Sequence, residues 1–199
     1  MRSDEFAPEN FEKVELEFDK NKATLFQLTF WAATMLVFLT LFFLIQSITP
    51  AELFAILRPS SPLSAVLRLG IVLVIAAVGI VVHELLHAVF YLPYTKNGFK
   101  SLKIGFKLSH AYCECTEIMR TNQAIVSLMA PLIILGIIPA IVAVIIGNAY
   151  LLIFGIFFTV AGSADTQIFL SIFKNRKITW FEDKASILKF YVHKPIQNN

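Results

Sequence analysis

Two stretches of this chain are almost empty of charge. No residue between Lys22 and Glu52 is charged, and from Thr121 to Phe173 the only charged residue is Asp165. A bilayer core of about 30 Å is crossed by about 20 apolar residues rising 1.5 Å each. These stretches therefore hold length for three crossings, 25–48, 124–146 and 149–173, with Gly147-Asn148 as the punctuation between the last two. A further apolar run, 64–92, carries Arg68 near its start and His83, Glu84 and His87 near its end. Four spans follow. Pro131 and Pro139 predict kinks in the third, which neighbouring helices tolerate in a membrane.

Composition supports the same reading. Hydrophobic residues make up 57% of the 199 and charged residues 16%, against about 25% charged in an ordinary soluble domain. A net charge of +3, with the basic residues flanking apolar runs, argues against a nucleic-acid binder. Two cysteines make no disulfide framework. The expected fold is an all-α integral membrane protein, one membrane domain over 1–199. It has four transmembrane helices and a small cytoplasmic β-hairpin or sheet, with no internal repeat.

Lys and Arg set the orientation. They occur in the N-terminal segment 1–24 (Arg2, Lys13, Lys20, Lys22), in the loop 93–123 (Lys96, Lys100, Lys103, Lys107, Arg120) and in the tail 174–199. The two opposite connections hold only Arg58, and Arg68 lies just inside the second span, where it is expected to snorkel outward. Both termini and the central loop are expected in the cytoplasm. The acidic N-terminus, with seven Asp and Glu in its first 19 residues, is not a signal peptide. Period-two alternation marks strands at Val14 to Phe18 and Leu102 to Leu108. Tyr112 to Thr116 reads as the returning arm, with a turn near Ser109-His110, and the tail offers Ile178 to Phe181 and Ile187 to Val192.

The ionisable residues inside the spans carry the chemistry. Each costs about 2.5–3.5 kcal/mol near a span's centre on insertion scales, so such groups face the protein interior and serve function. His83 and His87 stand one helical turn apart on one face, the spacing for two imidazoles on one zinc ion. Glu84 is rotated by about 100° from His83 and can act as a general base without being a ligand. A catalytic zinc needs a third protein ligand. His87 and His83 stand five and nine residues before the end of the second span, and Asp165 eight before the end of the fourth. Both spans run toward the cytoplasm, so at 1.5 Å per residue the three share a depth. Ala76 and Gly79 on the His83 face, and Ala161 and Gly162 before Asp165, would let the helices approach. The expected metal ligands are His83, His87 and Asp165, with Zn2+ as cofactor and Glu84 as the catalytic residue.

At this point the sequence resembles a family. His83-Glu84-Leu85-Leu86-His87 in a spanning helix is similar to the motif of site-2-protease-type intramembrane zinc metalloproteases. The chain more closely resembles the small bacterial membrane metalloproteases called putative zincin peptidases, over roughly Gly70 to Val192. That likeness includes Ala111 to Cys115, Ala130-Pro131, Gly136 to Pro139, and Gly162 to Asp165. It implies zinc-dependent peptide hydrolysis in or beside the membrane, with Asp165 in the place of the distal acidic ligand. The chain departs from the site-2 proteases in having Ala164-Asp165-Thr166, where those proteins usually have Leu-Asp-Gly.

The expected substrate is a membrane-associated polypeptide, unwound locally and held in extended form by edge pairing with the strand at Leu102 to Leu108. His110, Tyr112 and Asn122 are candidate oxyanion donors. Cys113 and Cys115 are two residues apart, not the usual Cys-x-x-Cys spacing, and read as part of a structural loop. His193 reads as solvated. The competing classes are a non-proteolytic metal-binding or transport protein and an inert scaffold. Transport is disfavoured because the span residues between Thr121 and Ala164 include no ionisable group.

Overall fold

A computed structural model describes residues 11–16, 19–107, 110–175, 178–182 and 188–193. In chain order the elements are β1 (Phe11–Leu16), α1 (Lys20–Gln46), α2 (Pro50–Leu57), α3 (Pro62–Tyr91), β2 (Leu102–Lys107), β3 (His110–Cys115), β4 (Met119–Arg120), α4 (Thr121–Pro131), α5 (Ile138–Ile146), α6 (Ala149–Ala161), α7 (Ser163–Lys174), β5 (Ile178–Glu182) and β6 (Leu188–His193). Among the described residues, three helical stretches are long and apolar enough to cross a membrane: Asn21–Gln46, Pro62–Tyr94 and Thr121–Ile146. The pair α6 and α7 makes a fourth only when taken together.

These helices differ from the sequence expectation at three points. First, the connection between the first two spans is not plain loop but holds α2. Thr49 and Glu52 form a reciprocal capping box, with Pro50 at the first helical turn. Second, 149–173 is not one continuous helix but breaks at Gly162. Third, between Pro131 and Pro139 the helix opens into a π-helical segment, Leu132–Ile137, in place of simple kinks. The Gly147-Asn148 punctuation is as read: Gly147 has φ 73° at the end of α5, and the Asn148 side chain caps α6 through the Leu151 N–H at 3.0 Å.

The described residues form two compact units. The first, from Thr24–His83 and Pro131–Ala164, is wholly helical, with a core of Phe42, Ala143, Val144, Leu152 and Ile156. Its helices touch at glycines. A Cβ on Gly155 would lie 2.4 Å from the Ala140 nitrogen, and one on Gly136 would lie 2.6 Å from the Thr159 nitrogen. Arg68 reaches the connection between α1 and α3: Nη1 donates to the Leu57 carbonyl at 3.0 Å and the Tyr150 hydroxyl at 3.1 Å. The α2 C-terminus thus receives a cation, as its dipole favours.

The second unit takes the described parts of Met1–Ala23, Glu84–Ala130 and Asp165–Asn199. It holds a four-stranded antiparallel sheet in the order β1-β6-β5-β4 and the separate β2–β3 hairpin. Hairpin register pairs Leu102 with Cys115 and Lys107 with His110; the expected turn at Ser109 lies outside the described residues. Ala88, Tyr91, Cys113, Cys115, Met119, Ala124, Leu128, Ile172 and Phe181 make the core. Glu117 fastens the preceding loop by accepting from the Lys96 and Asn97 backbone N–H groups at 2.8 and 3.1 Å and from the Ser101 hydroxyl. Burial raises the Glu117 pKa, but these hydrogen bonds outweigh it and hold the carboxyl below its ordinary value.

Candidate metal centre

His83 and His87 project from one face of α3, as i and i+4 residues must. Both are buried although they sit in a helix whose leucines and valines are largely exposed. Glu84, the next residue, is half-buried. Asp165 lies in the first turn of α7, where a carboxylate is favoured by the exposed N–H groups, and is 16% exposed. One ligand atom from each of His83, His87 and Asp165 lies within 4.8 Å of the other two. Helix α3 is continuous from His83 to His87.

The orientation of His87 is set by a residue that sequence reasoning did not single out. Its Nδ1 lies 2.9 Å from the backbone carbonyl of Ser127 in α4. A carbonyl only accepts, so Nδ1 carries the proton, by assignment from the hydrogen-bond network. The lone pair of the neutral ring is then on Nε2, and Nε2 lies 3.6 Å from Asp165 Oδ2. With the ring neutral, the two facing acceptors need a cation between them, either a proton or a metal ion. Ligand atoms about 2.0–2.1 Å from a tetrahedral zinc lie roughly 3.3–3.4 Å apart, close to this separation. The donor set of two imidazoles and one carboxylate suits zinc, and the arrangement fits it.

Tyr112 pairs across the hairpin with Gly105, where a Cβ would meet its hydroxyl at 2.7 Å. Asn122 is exposed, its side-chain oxygen accepting from the Gln123 N–H at 3.0 Å. The side chains of His110 and His193 lie outside the described residues; the backbone of His193 is paired with Phe11 in the sheet. Cys113 and Cys115 are buried in the apolar core. Among the described residues, His83, His87 and Asp165 are the group of three His, Cys, Asp or Glu placed to hold a metal. Ser127 gives no sign in sequence because its contribution is a backbone carbonyl; the one available signal is Pro131, four residues on.

No curated protein and no solved structure matches the chain. A family model does, over residues 76–180, a segment that contains both histidines, Glu84, Ser127 and Asp165. On that match the chain belongs to the family described as putative zincin peptidase.

Proposed function

We propose that the protein is an integral membrane zinc endopeptidase that cuts a membrane-associated polypeptide near the cytoplasmic face. The observation that carries this reading is the convergence of His83, His87 and Asp165 within 4.8 Å in helices otherwise built from apolar residues. In this reading Asn21–Gln46, Pro62–Tyr94 and Thr121–Ile146 are spans, α6 with α7 supplies the fourth, and both termini face the cytoplasm of a bacterial cell. The lysine-bearing loop and tail then meet the inner leaflet.

His83, His87 and Asp165 would hold the metal. Zinc, when bound, supplies a Lewis acid that polarises the scissile carbonyl and lets water attack near neutral pH. Ser127 keeps the proton of His87 on Nδ1, leaving Nε2 to ligate. The Glu84 carboxylate takes the proton of the attacking water and delivers it to the leaving amine. The hairpin offers an extended edge to which an unwound substrate segment can add.

Purified wild-type protein should contain about one zinc per chain, and His83→Ala and Asp165→Ala should contain little. Equal zinc in all three would overturn the site. Glu84→Gln should keep its zinc while proteolytic products, identified by mass spectrometry of native membranes, disappear. Normal cleavage by that variant would remove Glu84 from the mechanism.

A further inference from the structure

A helical proline does more than bend its helix. Having no N–H, it leaves the carbonyl four residues earlier without its intrahelical donor. In α4 the proline is Pro131, and the carbonyl four residues earlier belongs to Ser127. That carbonyl accepts from His87 Nδ1 at 2.9 Å. Ser127 and Pro131 are both fully buried, so the vacated acceptor sits away from solvent. The Ser127 hydroxyl fixes the same turn, donating to the Phe90 carbonyl at 2.9 Å with the Gln123 carbonyl at 3.1 Å as its other acceptor. Phe90 lies about one turn beyond His87 on α3, so one residue of α4 grips the histidine-bearing turn at two points.

We propose that Pro131 is a positioning residue for the metal centre: by vacating the Ser127 carbonyl it gives His87 the acceptor that fixes its ring and its tautomer. The proposal rests on the metal-centre reading above and adds to it a cause for the orientation of one ligand. Pro131 acts through Ser127 and His87. Any other residue at 131 brings an N–H that competes with the imidazole for the Ser127 carbonyl and weakens the bond that ties the ring to α4. Loss of such an outer partner typically weakens metal binding about 10–100-fold.

The test uses the full chain in detergent micelles, with zinc affinity measured by chelator competition and the site probed by Co2+ absorption. Pro131→Ala should bind zinc about 10–100-fold more weakly than wild type and give an altered Co2+ spectrum, while the metal-free protein unfolds close to the wild-type temperature. A merely structural role would move the unfolding temperature and leave the cobalt spectrum alone. Wild-type protein labelled with 15N-histidine supplies a second measurement that needs no variant: zinc-loaded His87 should carry its proton on Nδ1. Wild-type affinity and spectrum in Pro131→Ala, or a proton on Nε2 of His87, would overturn the proposal. A folded wild type that takes up no zinc would instead overturn the metal-centre reading on which it stands, and the proposal with it.

Discussion

Helix α3 changes character along its length. In its first half Leu63, Val66, Leu69, Leu73 and Val74 are all more than half exposed; in its last turns His83, His87, Ala88 and Tyr91 are buried. In water this order would be reversed, with branched aliphatics inside and ionisable groups outside. The inversion follows when hydrocarbon is the solvent. Leucine then gains nothing from burial, and the polar side chain, the small side chain and the aromatic with a polar tip go inside. The two halves differ in what selects each residue, apolarity in the first and contact geometry in the second.

That contrast can be broken by substitution along one helix. The largest effects belong to the buried end. His83→Ala should empty the site and abolish turnover, read as zinc content and product formation together. Glu84→Gln should lower turnover by about 10²–10⁴-fold with zinc retained. An intermediate effect is expected at Gly79, the one buried position of α3 before His83, where a Cβ would lie 2.0 Å from the Phe158 ring. Gly79→Val should destabilise by about 1–3 kcal/mol through overpacking, measured as thermal unfolding in detergent. In the exposed half, Val74→Ala should fall within about 0.5 kcal/mol of wild type. A large loss there would show that the first half of α3 has a protein partner.

A smaller, pH-dependent effect sharpens the comparison from outside the long apolar helices. The folded pKa of Glu117 is depressed, so its contribution to stability is fully present above the ordinary value of 4.5 and is lost as pH falls below it. Wild type should therefore show a steeper fall in unfolding temperature below about pH 4.5 than Glu117→Gln. Parallel curves would mean that the loop from Lys96 to Ser101 is held by other contacts.

The grouping of His83, His87 and Asp165 was legible in sequence because an ionisable residue in an apolar run is too costly to keep without a use, and because a rise of 1.5 Å per residue turns spacing into depth. The hairpin was legible from alternation at Leu102 to Lys107, although its second arm begins at His110, two residues earlier than expected. Helix α2 was legible but unread: Thr49, Pro50 and Glu52 are a complete N-terminal signature. The break at Gly162 was not, since glycine is frequent in spanning helices and Ala161-Gly162 also reads as a packing surface. Sequence patterns report side chains, so the Ser127 carbonyl stayed invisible until α3 and α4 were placed together.

The four-stranded sheet has a consequence for how the chain threads a bilayer. β1, β4, β5 and β6 share one sheet, so all four strands stand on one side of any membrane the helices cross. A path that leaves a side and returns to it crosses an even number of times. Between β1 and β4 the chain has two long apolar helices, α1 and α3, which satisfies that parity. Between β4 and β5 it has one unbroken apolar helix, Thr121–Ile146, and the broken pair α6 and α7. If the first crosses, the pair has to cross back.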